Sequence, residues 1–421
     1  MSNTAHITRS LRRRHAAERR FKAYGLGALL FAVTMLVVLI VSVAGPGISG
    51  FTRHELRLEI DTAPFSRILA ERPKEMDFHT HTQAILRSTL DTALQSKAER
   101  QKLYRLIGFF AAEDVKRQVM AQPDQWHDAV TVWVPLSDIA DLTLKEKIDV
   151  SLDPHLRPIS DQQLHWLRQW QDDGRIRRSV NWDFFTHGDS RAPDAASFGG
   201  AIVGSLWLLL ICMGLALPVA IMAAIYLEEF ARKGRASEWL EITINNLAAV
   251  PSIIYGLLGL SVYLQFFELP RSSALVGGLT MALLVLPVMI IAARAAIRAV
   301  PPSMRLAAAG LGASPLQVVR HHVLPYAMPG IMTGTILSFC RAIGETAPLL
   351  LIGMVAFVAD VPESPFEAAT AMPVQIYLWA SSPELGYVEK TSAGILVLLA
   401  ILLILNFTAI TLRRRMQLNW N

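Results

Sequence analysis

The chain has 421 residues, of which 52% are hydrophobic and 18% charged, with a formal net charge of +5. The apolar residues fall in long blocks rather than short alternating runs, which excludes an ordinary water-soluble enzyme and leaves an integral membrane protein. The modest positive charge is informative through its placement rather than its size.

Residues 1–23 form a basic tail with Arg9, Arg12, Arg13, Arg14, Arg19, Arg20 and Lys22. A nucleic-acid-binding arm is the competing reading, but the run abuts an apolar span and has no interleaved aromatic residues. The first apolar stretch, Tyr24–Val43 within an anchor at 24–45, exceeds the roughly 7–15 residues of a signal-peptide core. It reads as an uncleaved anchor, although "VSVAGPG" offers small residues at a cleavage point.

Residues 46–197 are hydrophilic and read as a mixed α/β domain. "AILRSTLDTALQSKAERQKLYRLI" has helical spacing, and "DAVTVWVPL" alternates like a strand. "DQQLHWLRQWQDDGRIRRSVNWDFF" predicts a helix stopped near Gly174, then a strand. Five more apolar stretches follow in 198–421, near Phe198–Tyr226, Ile242–Phe266, Ala274–Ile297, Met328–Val358 and Ala393–Leu412. Each is long enough to cross a bilayer. The fifth of the six, Met328–Val358, is too long to be straight, and Gly344 and Pro348 offer places to bend or break it. Asn245, Asn246 and Pro251 read as polar caps and a first-turn break opening the third. The expected fold class is an all-α integral membrane protein with six transmembrane helices and an α/β extracytoplasmic domain inserted after the first.

Arg232–Lys233–Arg235, Arg298, Arg305, Arg320 and Arg413–Arg415 fall on the same side as the basic tail, whereas the short segments opposite carry only Arg271 and Lys390. By the positive-inside rule both termini are cytoplasmic and 46–197 is translocated. Cys212 and Cys340 both lie in apolar spans, so they read as packing residues rather than a disulfide framework.

No phosphate loop, G-x-S-x-G elbow, H-E-x-x-H motif or kinase signature occurs, so no catalytic residue is expected. "DFHTHT" places Asp77, His79 and His81 together, but no second ligand cluster accompanies them. A polar turn is the commoner explanation, and neither a metal nor a cofactor is expected. Gly200/Gly204 and Gly330/Gly334 have the spacing that lets membrane helices approach closely, a sister subunit being one partner for such a contact.

Two intramembrane charges stand out in "SFCRAIGETAPLLLIG". A lone Arg near the centre of a membrane helix costs about 2.5–3.5 kcal/mol on insertion scales. Arg341 and Glu345 are four residues apart, which on a helix puts both on one face where they can pair. From the residues alone, a structural clamp and a functional site stand level. Arg294, one turn before Arg298, reads either as a second anion stop or as a side chain snorkelling to the interface.

The segment "RAVPPSMRLAAAGLGASPLQVVRHHVLPYAMPG" predicts two helical pieces around a glycine turn at Gly310 and Gly312, the second ending at Pro325. Such a knob suits docking into another protein's groove, or a plain interfacial loop. This loop, 298–325, resembles the coupling loop of ABC importer permeases, whose pattern is E-A-A-x-x-x-G followed by I-x-L-P. Ala307, Ala308, Gly312, Leu324 and Pro325 match it, while Leu306 replaces the usual acidic residue and His322 the usual Ile. "YLEEF", "NNLAAVPSIIYGLLGL" and "RAIGETAPLLLIG" extend the likeness over most of 198–421 to phosphate-importer permeases of the PstA type. The block at 51–197 is similar to an insert of a longer subgroup, which ends in a stretch like "FFTHGDSR".

The resemblance implies a bacterial inner-membrane permease that forms half of a phosphate pathway and works by alternating access. The implied partners are a PstC-type second permease, two PstB-type ATPase subunits docking on 298–325, and a periplasmic phosphate-binding protein, with no nucleic acid. ATP hydrolysis then belongs to the separate subunits. In a phosphate path, the planar, permanently charged fork of Arg341 suits anion contact. Glu345, competing for the same guanidinium, weakens the site enough to let the anion leave. Alternatives are a permease for another oxyanion such as sulfate or molybdate, a sensor with a periplasmic domain, and an ion-coupled transporter. Inverted repeats would support the last, and none is visible.

Overall fold

The computed structural model describes residues 3–62, 66–72, 80, 96–123, 129–232, 234–355 and 357–415. Asp77, His79 and His81, and residues 84–95 of the expected first helix of the hydrophilic block, lie outside them.

The chain opens with helix α1, Asn3–Gly50, 48 residues long. At 1.5 Å per residue that is about 72 Å, more than twice the hydrocarbon thickness of a bilayer. Its last turns lie against the final helix so closely that a Cβ at Gly47 or Gly50 would press on the backbone at Ser392 or Glu389.

Strand β1 (Thr52–Asp61) follows, then helices α2 (Ser66–Glu71), α3 (Lys97–Tyr104) and α4 (Ala111–Met120). Next come β2 (Ala129–Pro135), α5 (Asp138–Leu144), α6 (Asp161–Asp172), β3 (Ile176–Val180) and the single turn α7 (Asp183–Thr186). The strands form one antiparallel sheet in the order β2-β1-β3. Period-two alternation sends Leu56, Leu58 and Ile60 of β1 and Val130, Val132 and Val134 of β2 into one core. There they meet Leu103, Val115, Trp166 and Trp170 from the covering helices. A reciprocal Ser160–Gln163 capping box starts α6, and Gly174 at φ +66° ends it before β3.

The remainder is helical: α8 (Gly199–Ile225), α9 (Arg235–Ala248), α10 (Ser252–Gly259), α11 (Ala274–Arg298), α12 (Pro302–Gly310) and α13 (Pro315–Val318) come first. Then follow α14 (Leu324–Gly344), α15 (Ala347–Leu351), α16 (Met372–Ala380) and α17 (Gly386–Arg415). Among the described residues, five helical stretches are long and apolar enough to cross a membrane, and a bent pair makes a sixth if it is one span. Helix α11 is central, packed on α8 and α14. Gly330 and Gly334 let α14 approach Ala296 and Ala292 of α11, and Gly204 lets α8 approach Thr370, so both small-residue pairs pack within the chain rather than against a sister subunit.

Three expectations need correction. The third stretch is not one helix from Ile242: α9 and α10 meet at 98°. Pro251 has no N–H for the Leu247 carbonyl, which accepts instead from the Val250 N–H at 3.1 Å and the Tyr255 hydroxyl at 2.7 Å. Asn245 and Asn246 therefore lie inside α9 rather than capping a span. The fifth stretch runs Pro315–Gly344, well before the expected Met328–Val358. It stops where Glu345 turns extended (φ −78°, ψ 126°), and Pro348 cannot donate to the Gly344 carbonyl. Finally, the second helical piece of the 298–325 loop does not end at Pro325. A π turn at Val319–Val323 carries it directly into α14, where Pro325 occupies the first turn.

Candidate substrate path and coupling site

Arg341 sits on the last turn of α14, and Glu345 is that helix's C-cap. Because Glu345 has left helical geometry, the pair is looser than four-residue spacing on an intact helix allows. Arg341 Nε stands 3.5 Å from Glu345 Oε1, and the two side chains are 40% and 21% exposed. The guanidinium is thus biased by a neighbouring carboxylate but not locked by it, and most of its donor edge remains open.

Arg294 is placed quite differently. Its Nε donates to Glu228 at 2.8 Å and its Nη2 to Glu241 of α9 at 2.9 Å, with the side chain only 10% exposed. Both edges of the fork are occupied by carboxylates, so the arginine that the sequence placed with the substrate path is a brace between helices. Glu228 is shared with Arg298, which reaches it at 2.9 Å. The adjacent Glu229 takes both sides of the Arg305 fork, at 2.8 and 3.1 Å. Arg305 also donates to the carbonyls of Val300 at 2.6 Å, just past α11, and Ile297 at 2.9 Å in its last turn.

The matched loop residues divide between inside and outside. Ala308 is buried with Ile297, Val300, Val318 and Val323, while Ala307 faces out. Gly312, at φ +87°, makes the sharp turn that only glycine enters without strain. Ser314 and Gln317 then form a capping box that starts α13. Leu324 is half-buried and Pro325 exposed in the first turn of α14. The outward surface of the knob is apolar: Leu306, Leu311 and Leu316 are 73%, 91% and 66% exposed. These three leucines, and the acceptors Glu228, Glu229 and Glu241, are what the sequence reading missed. The one available signal was two adjacent carboxylates ending an apolar span in a chain whose nearby loop is rich in arginine.

The sheet end of the bundle is bolted on by "FFTHGDSR". Asp189 accepts hydrogen bonds from Gln375 Nε2 at 2.9 Å and Trp379 Nε1 at 3.0 Å of α16. Burial pushes its carboxyl above the usual range, against the pull of those two donors. Gly188 has no room for a Cβ against the Ala359 carbonyl. Phe184 stacks on Phe198, and Tyr387 donates to the Ser190 carbonyl at 2.8 Å. A second bolt joins Lys145 to Asp141 at 2.6 Å and to Glu389 at 2.9 Å, while Ser49 at the end of α1 donates to Glu389 at 2.6 Å.

Residues 216–417 match the family model of the binding-protein-dependent transport system inner membrane component. Residues 8–153 match a domain of unknown function (DUF3333). The chain is 32% identical over 239 residues to the phosphate transport system permease protein PstA 1 of Mycobacterium tuberculosis (strain CDC 1551 / Oshkosh), covering 56% of this chain and 77% of that one. It is 32% identical over 220 residues to the phosphate transport system permease protein PstA of Yersinia pestis, covering 52% and 73%. A PstA homolog of Mycoplasma pneumoniae is 35% identical over 158 residues, 36% of this chain and 24% of that protein, so the chain spans about a quarter of that relative's length.

Proposed function

The chain belongs to the PstA family of phosphate transport permeases, and from that membership we propose that it forms half of the translocation pathway of an ATP-driven inorganic phosphate importer. It is a multi-pass inner-membrane permease subunit and not itself an ATPase. The observation that carries this reading is the 32% identity that spans 77% of a PstA permease.

The finer parts follow from charge and exposure. Both termini and the 298–325 loop face the cytoplasm, and residues 46–197 face the periplasm, in keeping with the arginines gathered at one end of the bundle. A PstC-type permease completes the pathway, two PstB-type ATPase subunits serve the pair, and a periplasmic phosphate-binding protein delivers the anion. One ATPase grips the knob through Leu306, Leu311 and Leu316, since exposed apolar side chains on a rigid turn suit an apolar groove. Arg341 contacts the anion, and Glu345 tunes it, because a guanidinium trap without a competitor would hold phosphate too long for conduction. Arg294 braces the helices that frame the path.

Labelled-phosphate uptake in cells lacking the chain tests the assignment. Wild-type chain should restore uptake that stops on ATP depletion, survives collapse of ion gradients and ignores excess sulfate. Uptake blocked by sulfate, or none at all, would remove the phosphate assignment.

A further inference from the structure

Resting on the permease reading above, we propose that the adjacent carboxylates Glu228 and Glu229 are positioning residues for energy coupling: they form the joint through which movement of the 298–325 loop reaches the transmembrane helices. Neither residue belongs to the loop's own sequence pattern.

The geometry begins with a backbone irregularity. Helix α8 ends in a π turn, Tyr226–Phe230, which contains both residues. Consecutive side chains in a helix already diverge by about 100°. Here Glu228 serves Arg294 and Arg298 on α11, and Glu229 serves Arg305 on α12. One turn of α8 therefore holds the transmembrane helix α11 with one carboxylate and the loop helix α12 with the next. Through Arg294 the same network reaches Glu241 on α9.

Three features make this a mechanical joint rather than a surface decoration. Glu228 and Glu229 are each 12% exposed, so solvent screens little the pairs they make with Arg294 and Arg305, which are 10% and 25% exposed. Three carboxylates meet three guanidinium groups (Glu228, Glu229 and Glu241 with Arg294, Arg298 and Arg305), so the cluster is neutral and none of its charges is left over. Arg305 binds Glu229 and the carbonyls of Ile297 and Val300 at once. A displacement applied to the knob's outward leucines thus acts on the end of α8 through a bidentate ion pair, and on the end of α11 through the carbonyls of Ile297 and of Val300 just past it. The apolar hold on α12 is small, buried Ala308 with Met304 packed beside it, so the Arg305 network is a large share of what ties the loop helix to the bundle.

The test uses the complete transporter, with its second permease, ATPases and binding protein, in liposomes, and reads ATP hydrolysed per phosphate moved. Glu229→Gln should leave assembly and ATPase turnover within about twofold of wild type while uptake falls, so that the ratio rises about tenfold, as loss of a coupling free energy requires. Glu229→Asp, which keeps the charge on a shorter stem, should give an intermediate ratio and serves as the readout if Glu229→Gln fails to insert. An unchanged ratio in either inserted variant, or ATPase and uptake falling in proportion, would overturn the joint while leaving the permease reading intact. Absence of ATP-dependent uptake by the wild-type transporter would remove that reading instead.

Discussion

Arg341 and Arg294 both sit on helices of one membrane bundle, and each has carboxylates nearby, yet the two sites are opposites. Arg294 is clamped by two carboxylates at 2.8 and 2.9 Å and is almost out of solvent. Arg341 faces one carboxylate at 3.5 Å, with 40% of its side chain exposed. The difference is made by backbone. Glu228 and Glu241 reach Arg294 from two other helices, which close on it from both sides, whereas Glu345 swings away because α14 ends one residue earlier. An intramembrane arginine is therefore spent or available according to how many elements converge on it, and a sequence count of charges does not tell the two apart.

The largest expected effect that sharpens this contrast is on stability. Arg294→Gln leaves Glu228 short of one partner and Glu241 without its arginine, and should destabilise the chain by about 3–5 kcal/mol. Thermal unfolding in detergent would show it, along with reduced membrane levels. An unchanged melting temperature would mean that Arg294 is no brace.

A closed cluster at the opposite end of the bundle should behave like Arg294 and add a pH signature. Burial pushes the Asp141 carboxyl up, but the hydrogen bond to His54 and the Lys145 ammonium outweigh it and hold the group below its usual range. A folded-state pKa below the unfolded one gives stability that is present above the ordinary carboxylate pKa and lost as pH falls through the folded value. Asp141→Asn should cost about 1–3 kcal/mol near neutrality and flatten this acid-side loss. Melting temperature followed from pH 7 downward would check it, and identical profiles for variant and wild type would contradict it.

The open pair should be nearly silent in stability. Glu345→Gln should change it by less than about 1 kcal/mol, as for other part-exposed ion pairs. Uptake kinetics should respond instead, with a lower apparent KM for phosphate and a lower maximal rate, because Arg341 loses its competitor. Smallest of all on stability is Leu311→Asp on the exposed knob, expected within about 0.5 kcal/mol of wild type. Co-purification of the ATPase should nevertheless be lost.

Six apolar stretches were legible because length and hydropathy are direct counts, and β2 and β3 because Val130–Val134 alternates and Gly174 stops the helix before Ile176. The 298–325 knob was legible from its glycine turn. What escaped were consequences of contacts far apart in sequence. The partners of Arg294 lie 66 and 53 residues away, and that of Arg305 lies 76 residues away, so no local pattern announces them. The breaks were half-visible: Pro251 and Pro348 marked both places, but neither the 98° bend nor the Tyr255 hydroxyl's bond to the Leu247 carbonyl was written in the local pattern. The charge spacing of Arg341 and Glu345 read as a helical pair because nothing local showed that Glu345 leaves the helix.

The most direct measurement is phosphate uptake by cells lacking this chain and expressing wild type, Arg341→Gln or Arg341→Lys at matched membrane levels. Arg341→Gln should fold and melt like wild type yet support no uptake, and Arg341→Lys, which keeps the charge without the fork, should support a small fraction. Uptake by Arg341→Gln equal to wild type would show that the open arginine is not the phosphate contact.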